Sequence, residues 1–283
     1  MRTGQMRHTL RGAVSGRAAA TVIAIFLATI FPALRAAGQA QGAYRAPRTT
    51  DGKPDLNGVW QALNTASWDI QDHAARSGPL AVLGAAFSIP AGQGVVEGNE
   101  IPYQPWAAKK KQENGENWLK LDPEIKCYMP GVPRATYMPF PFQIVQTPGN
   151  ILMAYEFASA SRIIRMNSKA ESPTDSWMGW SRGRWEGETL VVDVTSLNED
   201  TWFDRAGNFH SDALHVVERY TRVSPDAMTY EATIEDPKVF TRSWKMRMPL
   251  YRRLEKDVKV LEYKCVEFAE ELLYGHLRKQ PRN

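Results

Sequence analysis

The chain has 283 residues, 43% hydrophobic and 23% charged, which is length and apolar content enough for a sizeable core. Its formal net charge of +4 belongs to the first forty residues, which hold five arginines and no acid; beyond residue 40, thirty basic residues face thirty-one acidic ones. That balance excludes nucleic acid as the expected partner, since phosphate binding needs a clustered surplus of positive charge.

Residues 1–40 read as a secretory signal peptide: Arg2, Arg7, Arg11 and Arg17 lead, Ala18–Leu34 is an apolar run, and small residues close the segment near Ala40. A retained anchor is the rival reading, because the run approaches the roughly 17–25 residues that span a bilayer. Pro32 and the small-residue close favour cleavage, which would leave a periplasmic or secreted protein with no membrane span. In that compartment the two cysteines, Cys127 and Cys265, are expected to pair, with two buried thiols as the alternative. Neither sits in a C-x-x-C or C-x-x-C-H motif, so redox catalysis and covalent haem gain no support. No cofactor is expected.

Residues 41–56 are polar with Pro and Gly and read as an extended arm. DLNGVW (Asp55–Trp60) opens the first strand. Residues 67–105 carry turn residues throughout and predict loop with short helices at most. Ala107–Leu121 predicts a helix, weakened by Gly115, with Lys109–Lys111 on its solvated face. Five prolines between Pro123 and Pro141 predict a structured loop. From Phe142 onward the pattern becomes strands: 142–147, 151–156, 162–166, 183–185, 189–194, 213–223, 228–235, 243–248 and 258–263. Tight turns at 148–150, 186–188 and 224–227 join several of them. In 228–235, Met228, Tyr230, Ala232 and Ile234 oppose Thr229, Glu231, Thr233 and Glu235, which gives one buried and one wet face. A C-terminal helix is expected over 266–279.

The fold expected is mainly β: an antiparallel meander closing into a barrel, with an irregular N-terminal arm and a C-terminal helix. Residues 41–141 supply the arm, first strand and loop–helix segment, and 142–283 the meander, in one domain. Gly58 and Trp60 form a G-x-W that resembles the opening motif of lipocalins. The longer blocks PFQIVQTPGNILMAYE (141–156), GRWEGETLVVDV (183–194), TWFDRAGNFHSDALHVVERY (201–220) and YKCVEFAEELLYG (263–275) resemble a broad group of exported bacterial proteins. That resemblance implies an exported, loosely lipocalin-like domain and carries no activity to transfer. The group's closing block often reads Cys-His-Glu-Gly-Asn; here Val266 follows Cys265, so that histidine is missing.

HSDALHVVERY (His210–Tyr220) concentrates ionisable groups. Leu214, Val216, Glu218 and Tyr220 share one strand face; His215, Val217, Arg219 and Thr221 share the other. Whichever face turns inward carries charge with it, and buried charge must be paired or it neutralises. Three readings compete. A metal site would draw on His210, Asp212, His215 and Glu218, but in a strand His215 and Glu218 diverge, so no metal is assigned. An acid–base site would use His215 with Asp212, Asp204 or Asp193, supported by Glu218 and with Arg219 holding an oxygen; it requires His215 to line a cavity. The third reading is a strand with one structural ion pair. No G-x-S-x-G, Walker A or G-x-G-x-x-G motif is present.

Nine tryptophans, with Trp177, Trp180, Trp185 and Trp202 close in sequence, suggest either core or aromatic ligand contact. The function expected is therefore a barrel holding a small apolar or aromatic molecule, with Trp60, Trp185, Trp202, His210 and Tyr220 near the ligand. The alternatives are the cofactor-free lyase, isomerase or hydrolase built on His215, and a scaffold that binds a partner through an outer sheet face.

Overall fold

Alternating apolar residues place one side chain in two on a common core, and the strands they form run round to meet themselves. The computed structural model describes residues 44–78 and 80–277; the expected signal peptide, 1–40, lies outside the described residues. The strands are β1 (Gly58–Ala62), β2 (Phe142–Gln146), β3 (Asn150–Tyr155), β4 (Ser161–Met166), β5 (Trp180–Glu186), β6 (Thr189–Thr195), β7 (His215–Ser224), β8 (Ala227–Glu235) and β9 (Trp244–Arg252). Each pairs with its sequence neighbours and β9 returns to β1, closing a nine-stranded barrel.

A ring of sequentially paired strands can be antiparallel throughout only when their number is even. Nine strands force one parallel pair, and it falls between β4 and β5, where Ile164 lies opposite Ser181 and Met166 opposite Gly183. The expected antiparallel meander is corrected at this one seam, which residues 167–179 cross as an irregular connection of the length a parallel pair demands. The expected strand at 258–263 does not form. Because β1 and β9 pair with each other, no free edge remains to receive it.

The inward faces match the alternation. Met228, Tyr230, Ala232 and Ile234 of β8, and Trp244, Met246, Met248 and Leu250 of β9, are buried. The β5–β6 turn is two residues, Gly187-Glu188, with Gly187 at φ 60°, the left-handed conformation that favours glycine. Trp60 is fully buried toward the end of the barrel where the β7–β8 turn lies. Its Nε1 donates to Leu56 O at 2.9 Å, and the guanidiniums of Arg252 and Arg222 lie 4.8 and 5.7 Å from its ring. The arm crosses this end, where Asp55 O accepts from Arg222 Nη1 and Arg48 pairs with Glu188.

The helices pack outside or into the mouth. The predicted helix at 107–121 breaks at Asn117 into α1 (Pro105–Glu116) and α2 (Trp118–Leu121). Gly115 is required by packing: a Cβ there would stand 2.5 Å from Ala206 O, so the 201–210 segment can approach the helix backbone. The proline-rich loop contains α3 (Arg134–Tyr137), all four residues buried, anchored by two Arg134–Asp122 hydrogen bonds of 2.7 and 2.8 Å. The C-terminal helix is shorter than expected: α4 (Ala269–Tyr274), followed by one 3-10 turn at Gly275–Leu277. Cys127 and Cys265 form a disulfide that ties this C-terminal segment to the proline-rich loop. No helix among the described residues is long and apolar enough to cross a membrane.

Candidate functional site

β7 resolves the ambiguity of its own sequence. Val216, Glu218, Tyr220 and Arg222 turn inward and are buried, while His215, Val217, Arg219 and Thr221 face outward. Glu218 therefore enters the barrel as a carboxylate and needs partners. Arg162, inward on β4, donates to both its oxygens, Nη1 to Oε2 at 2.7 Å and Nη2 to Oε1 at 3.0 Å. The hydroxyls of Tyr220 and Tyr230 each donate to Oε1 at 2.9 Å. Arg162 Nε and Nη2 also donate to the hydroxyls of Tyr155 and Tyr220, each at 3.0 Å. Burial, reinforced by the Glu218 charge, pushes the Tyr220 and Tyr230 phenols well above their ordinary value, so they remain donors. Thr136 of α3 reaches into this group, 3.4 Å from the Tyr220 hydroxyl.

This network stands among the inward side chains of the barrel, the region where a ligand was expected. Trp60 and Tyr220, both expected near a ligand, are fully buried members of this core. Trp185 is half-buried and packs against the same core from β5.

The four candidates for acid–base chemistry do not converge. His215 faces outward, its Nε2 3.0 Å from Asp193 Oδ2 and its Nδ1 3.1 Å from Glu235 Oε2, on the strands to either side. Partial burial works against its charge, but the two carboxylates outweigh this and hold its pKa above the ordinary value. Arg219 pairs with Glu186 at 2.8 Å on the outer face, and Asp212 pairs with Lys238 at 2.5 Å on an exposed turn. Glu218 lies inside. Strand alternation sends His215 and Arg219 to the outer face of β7 and Glu218 to the inner one. Among the described residues no group of three or more His, Cys, Asp or Glu could hold a metal ion.

The other two ligand candidates, Trp202 and His210, do lie together. With α1 they line an open cleft of about 870 Å³ outside the barrel, whose walls include Trp106, Leu121, Phe209 and Ser211, with Lys109, Lys110, Glu113 and Glu199 at its polar parts. That volume is within the range of small-molecule sites. Trp106 is 54% exposed and meets Phe209 edge-on, with ring centroids 6.0 Å apart. Behind it, Phe209 stacks on Tyr103 at 6.1 Å.

The 201–211 segment that presents this wall is held from within. Asp204 is fully buried and accepts from Ile70 N, Asn208 N and Asn208 Nδ2 at 2.9, 3.1 and 2.6 Å. Burial and nearby Asp69 push its carboxyl up to about 7, against the three donors, which favour the anion. Ser211 N and Oγ both donate to Asp236, at 2.6 and 2.9 Å. His210 Nδ1 lies 2.8 Å from the Ser211 carbonyl, which can only accept, so this nitrogen carries the proton and Nε2 accepts from the Thr201 hydroxyl at 2.6 Å. Burial holds the His210 pKa below its ordinary value, so at neutral pH the ring is an uncharged, fully partnered part of the wall.

Sequence reasoning missed Trp106, Phe209 and Arg162. Trp106 stands forty-six residues or more from every aromatic candidate, and Phe209 lies inside a loop without period. Arg162 carried a readable signal: it shares a strand face with Ile164 and Met166, an apolar face where a charge needs a buried partner. No protein-family model matches this chain, and no curated protein matches it at a significant level.

Proposed function

We propose that the protein is exported and binds a small, mostly apolar aromatic molecule in the cleft between α1 and the 201–211 segment, rather than inside the barrel. The observation that carries this reading is Trp106, a large ring 54% exposed on the wall of an 870 Å³ cleft whose other walls include Trp202 and Phe209. Aromatic walls with a few fixed polar groups are the usual make-up of a small-molecule site. The packing behind the wall supports preorganisation, since Asp204, Asp236 and Thr201 leave the segment little freedom to lose on binding. Export is supported by the basic and apolar leader read from the sequence and by the Cys127–Cys265 disulfide, which suits an oxidising compartment.

The test is titration of the chain from residue 41 with N-phenyl-1-naphthylamine, a neutral fluorescent aromatic. Saturable binding weakened at least about tenfold (1.4 kcal/mol) by Trp106→Ala is the expected result. Binding unchanged in Trp106→Ala and Phe209→Ala, or no binding, overturns the reading. Native mass spectrometry of protein made with its leader would then show whether the molecule travels with it.

A further inference from the structure

A second groove lies on the opposite kind of surface, the outside of the barrel at the parallel seam. The connection 167–179 leaves β4 and returns to start β5 alongside it, and where it rejoins the sheet it raises a wall over the outer face of β4. The groove beneath is open, about 360 Å³ in volume, and is lined by Met129, Ile163, Trp177, Met178 and Trp180, with Ser161, Ser176, Gly179, Arg162 and Arg165. That volume lies at the lower end of the range of small-molecule sites, about 300–1,000 Å³.

Its chemistry is one-signed. The only charged residues in its lining are Arg162 and Arg165. Arg162 is already neutralised by Glu218 inside the barrel. Arg165 has no ion-pair partner among the described residues; its guanidinium carbon lies 3.6 Å from the centroid of Trp180, and Nη1 reaches Ile163 O at 3.4 Å. Its neighbour across the seam, Arg182, is paired with Asp193. Arg165 is therefore a cation packed against an indole beside an apolar groove, with no carboxylate paired to it among the described residues.

The apolar surface continues past the groove. Ile163 pairs with Leu152 and Leu152 with Val145, and the three are 46, 38 and 40% exposed on the outer faces of β4, β3 and β2. At about 4.8 Å between strands this row runs about 10 Å from the groove. An aliphatic chain would lie along it with one end beside Arg165.

We propose that this groove is a second binding site, for a free amphiphile of about ten carbons bearing a single carboxylate, with Arg165 as its counter-ion and Trp177, Trp180 and Ile163 against its chain. A cation or an uncharged chain of the same length gains the apolar contact but not the ion pair. The site is independent of the aromatic cleft.

The experiment is isothermal titration of the chain from residue 41 with decanoate, decyltrimethylammonium and decanol, each below its aggregation concentration. Decanoate should bind at least about tenfold more tightly than the other two, and Arg165→Gln should remove that preference while leaving the far-ultraviolet circular dichroism unchanged. Trp177→Ala should weaken all three, and Trp106→Ala, in the other cleft, should weaken none. Equal affinity for decanoate and decyltrimethylammonium overturns the proposal. So does decanoate binding that survives Arg165→Gln, that is lost in Trp106→Ala, or that is absent from the unaltered chain. Failure of the aromatic titration with retained decanoate binding would count against the first site alone.

Discussion

Glu218 is the carboxylate whose removal should cost this fold most. Changing Glu218→Gln keeps the shape of the side chain and removes its charge, leaving Arg162, 2% exposed in its side chain, without a counter-ion. Four hydrogen bonds reach that carboxylate, two from Arg162 and one each from Tyr220 and Tyr230. At about 1.5–3 kcal/mol for a bond to a charged group, simple addition gives about 6–12 kcal/mol, comparable to the whole stability of a domain. The tyrosines and Ser181, 3.4 Å from Arg162 Nη1, can re-pair in part, so the expected loss is that of a broken buried pair, about 3–5 kcal/mol.

Urea unfolding with the disulfide intact measures it. With a slope of about 3 kcal/mol/M, the midpoint should fall by roughly 1–1.7 M. Arg162→Met alone should cost a similar amount. The double variant should cost far less than the sum, since the charge left unpaired in each single variant is gone, and the coupling should exceed about 2 kcal/mol. A loss below about 1 kcal/mol for Glu218→Gln, or additivity within about 0.5 kcal/mol, would refute the account of the pair as one interdependent unit.

Removing the disulfide by Cys127→Ser with Cys265→Ser frees a loop with a sequence separation of 138 and should lower stability by about 5 kcal/mol on the chain-entropy relation; thermal unfolding with and without reductant checks it. Gly115→Ala should destabilise by about 1–3 kcal/mol through overpacking against Ala206 O, although alanine is the better helix former, and a stabilised variant in denaturant melts would disprove the close approach. His215 has its pKa raised in the folded state, so its contribution is fully present below its unfolded value near 6.5 and is lost as pH rises through the folded one. Comparing unfolding midpoints of the unaltered chain and His215→Gln at pH 5.5 and 9 should show the difference shrinking at the higher pH.

Strand periodicity carried most of the architecture into the sequence. The alternation in β8 and β9 named the buried face residue by residue, and the turn at Gly187 marked its hairpin. Local pattern could not show the parallel seam, because parity is a property of the whole ring. The 258–263 segment has respectable strand composition and fails for a non-local reason, the absence of an open edge. For the site, sequence brought Trp202 to attention as one of four tryptophans close in sequence and His210 as part of the ionisable stretch His210–Tyr220. It also placed Trp60 and Tyr220 near a ligand; both are buried in the core cluster, and an aromatic residue looks the same in either role. On β7, alternation stated that either Glu218 or the His215–Arg219 pair would be internal. Choosing between them required the partner, and Arg162 is fifty-six residues away.

The disulfide has a topological consequence for the barrel. The covalent ring it closes, from Cys127 to Cys265, contains β2 through β9 but leaves β1 outside. An oxidised chain can therefore be pictured as an eight-stranded open sheet within a loop, completed by one strand supplied from beyond it. That strand is lightly held: β1 pairs three residues with β2 and three with β9. β1 acts as a clasp, and its release would expose the two facing edges of β2 and β9 at once. A synthetic peptide spanning residues 55–63 should compete for that slot, and a chain beginning after it should present an acceptor for a strand from a neighbour.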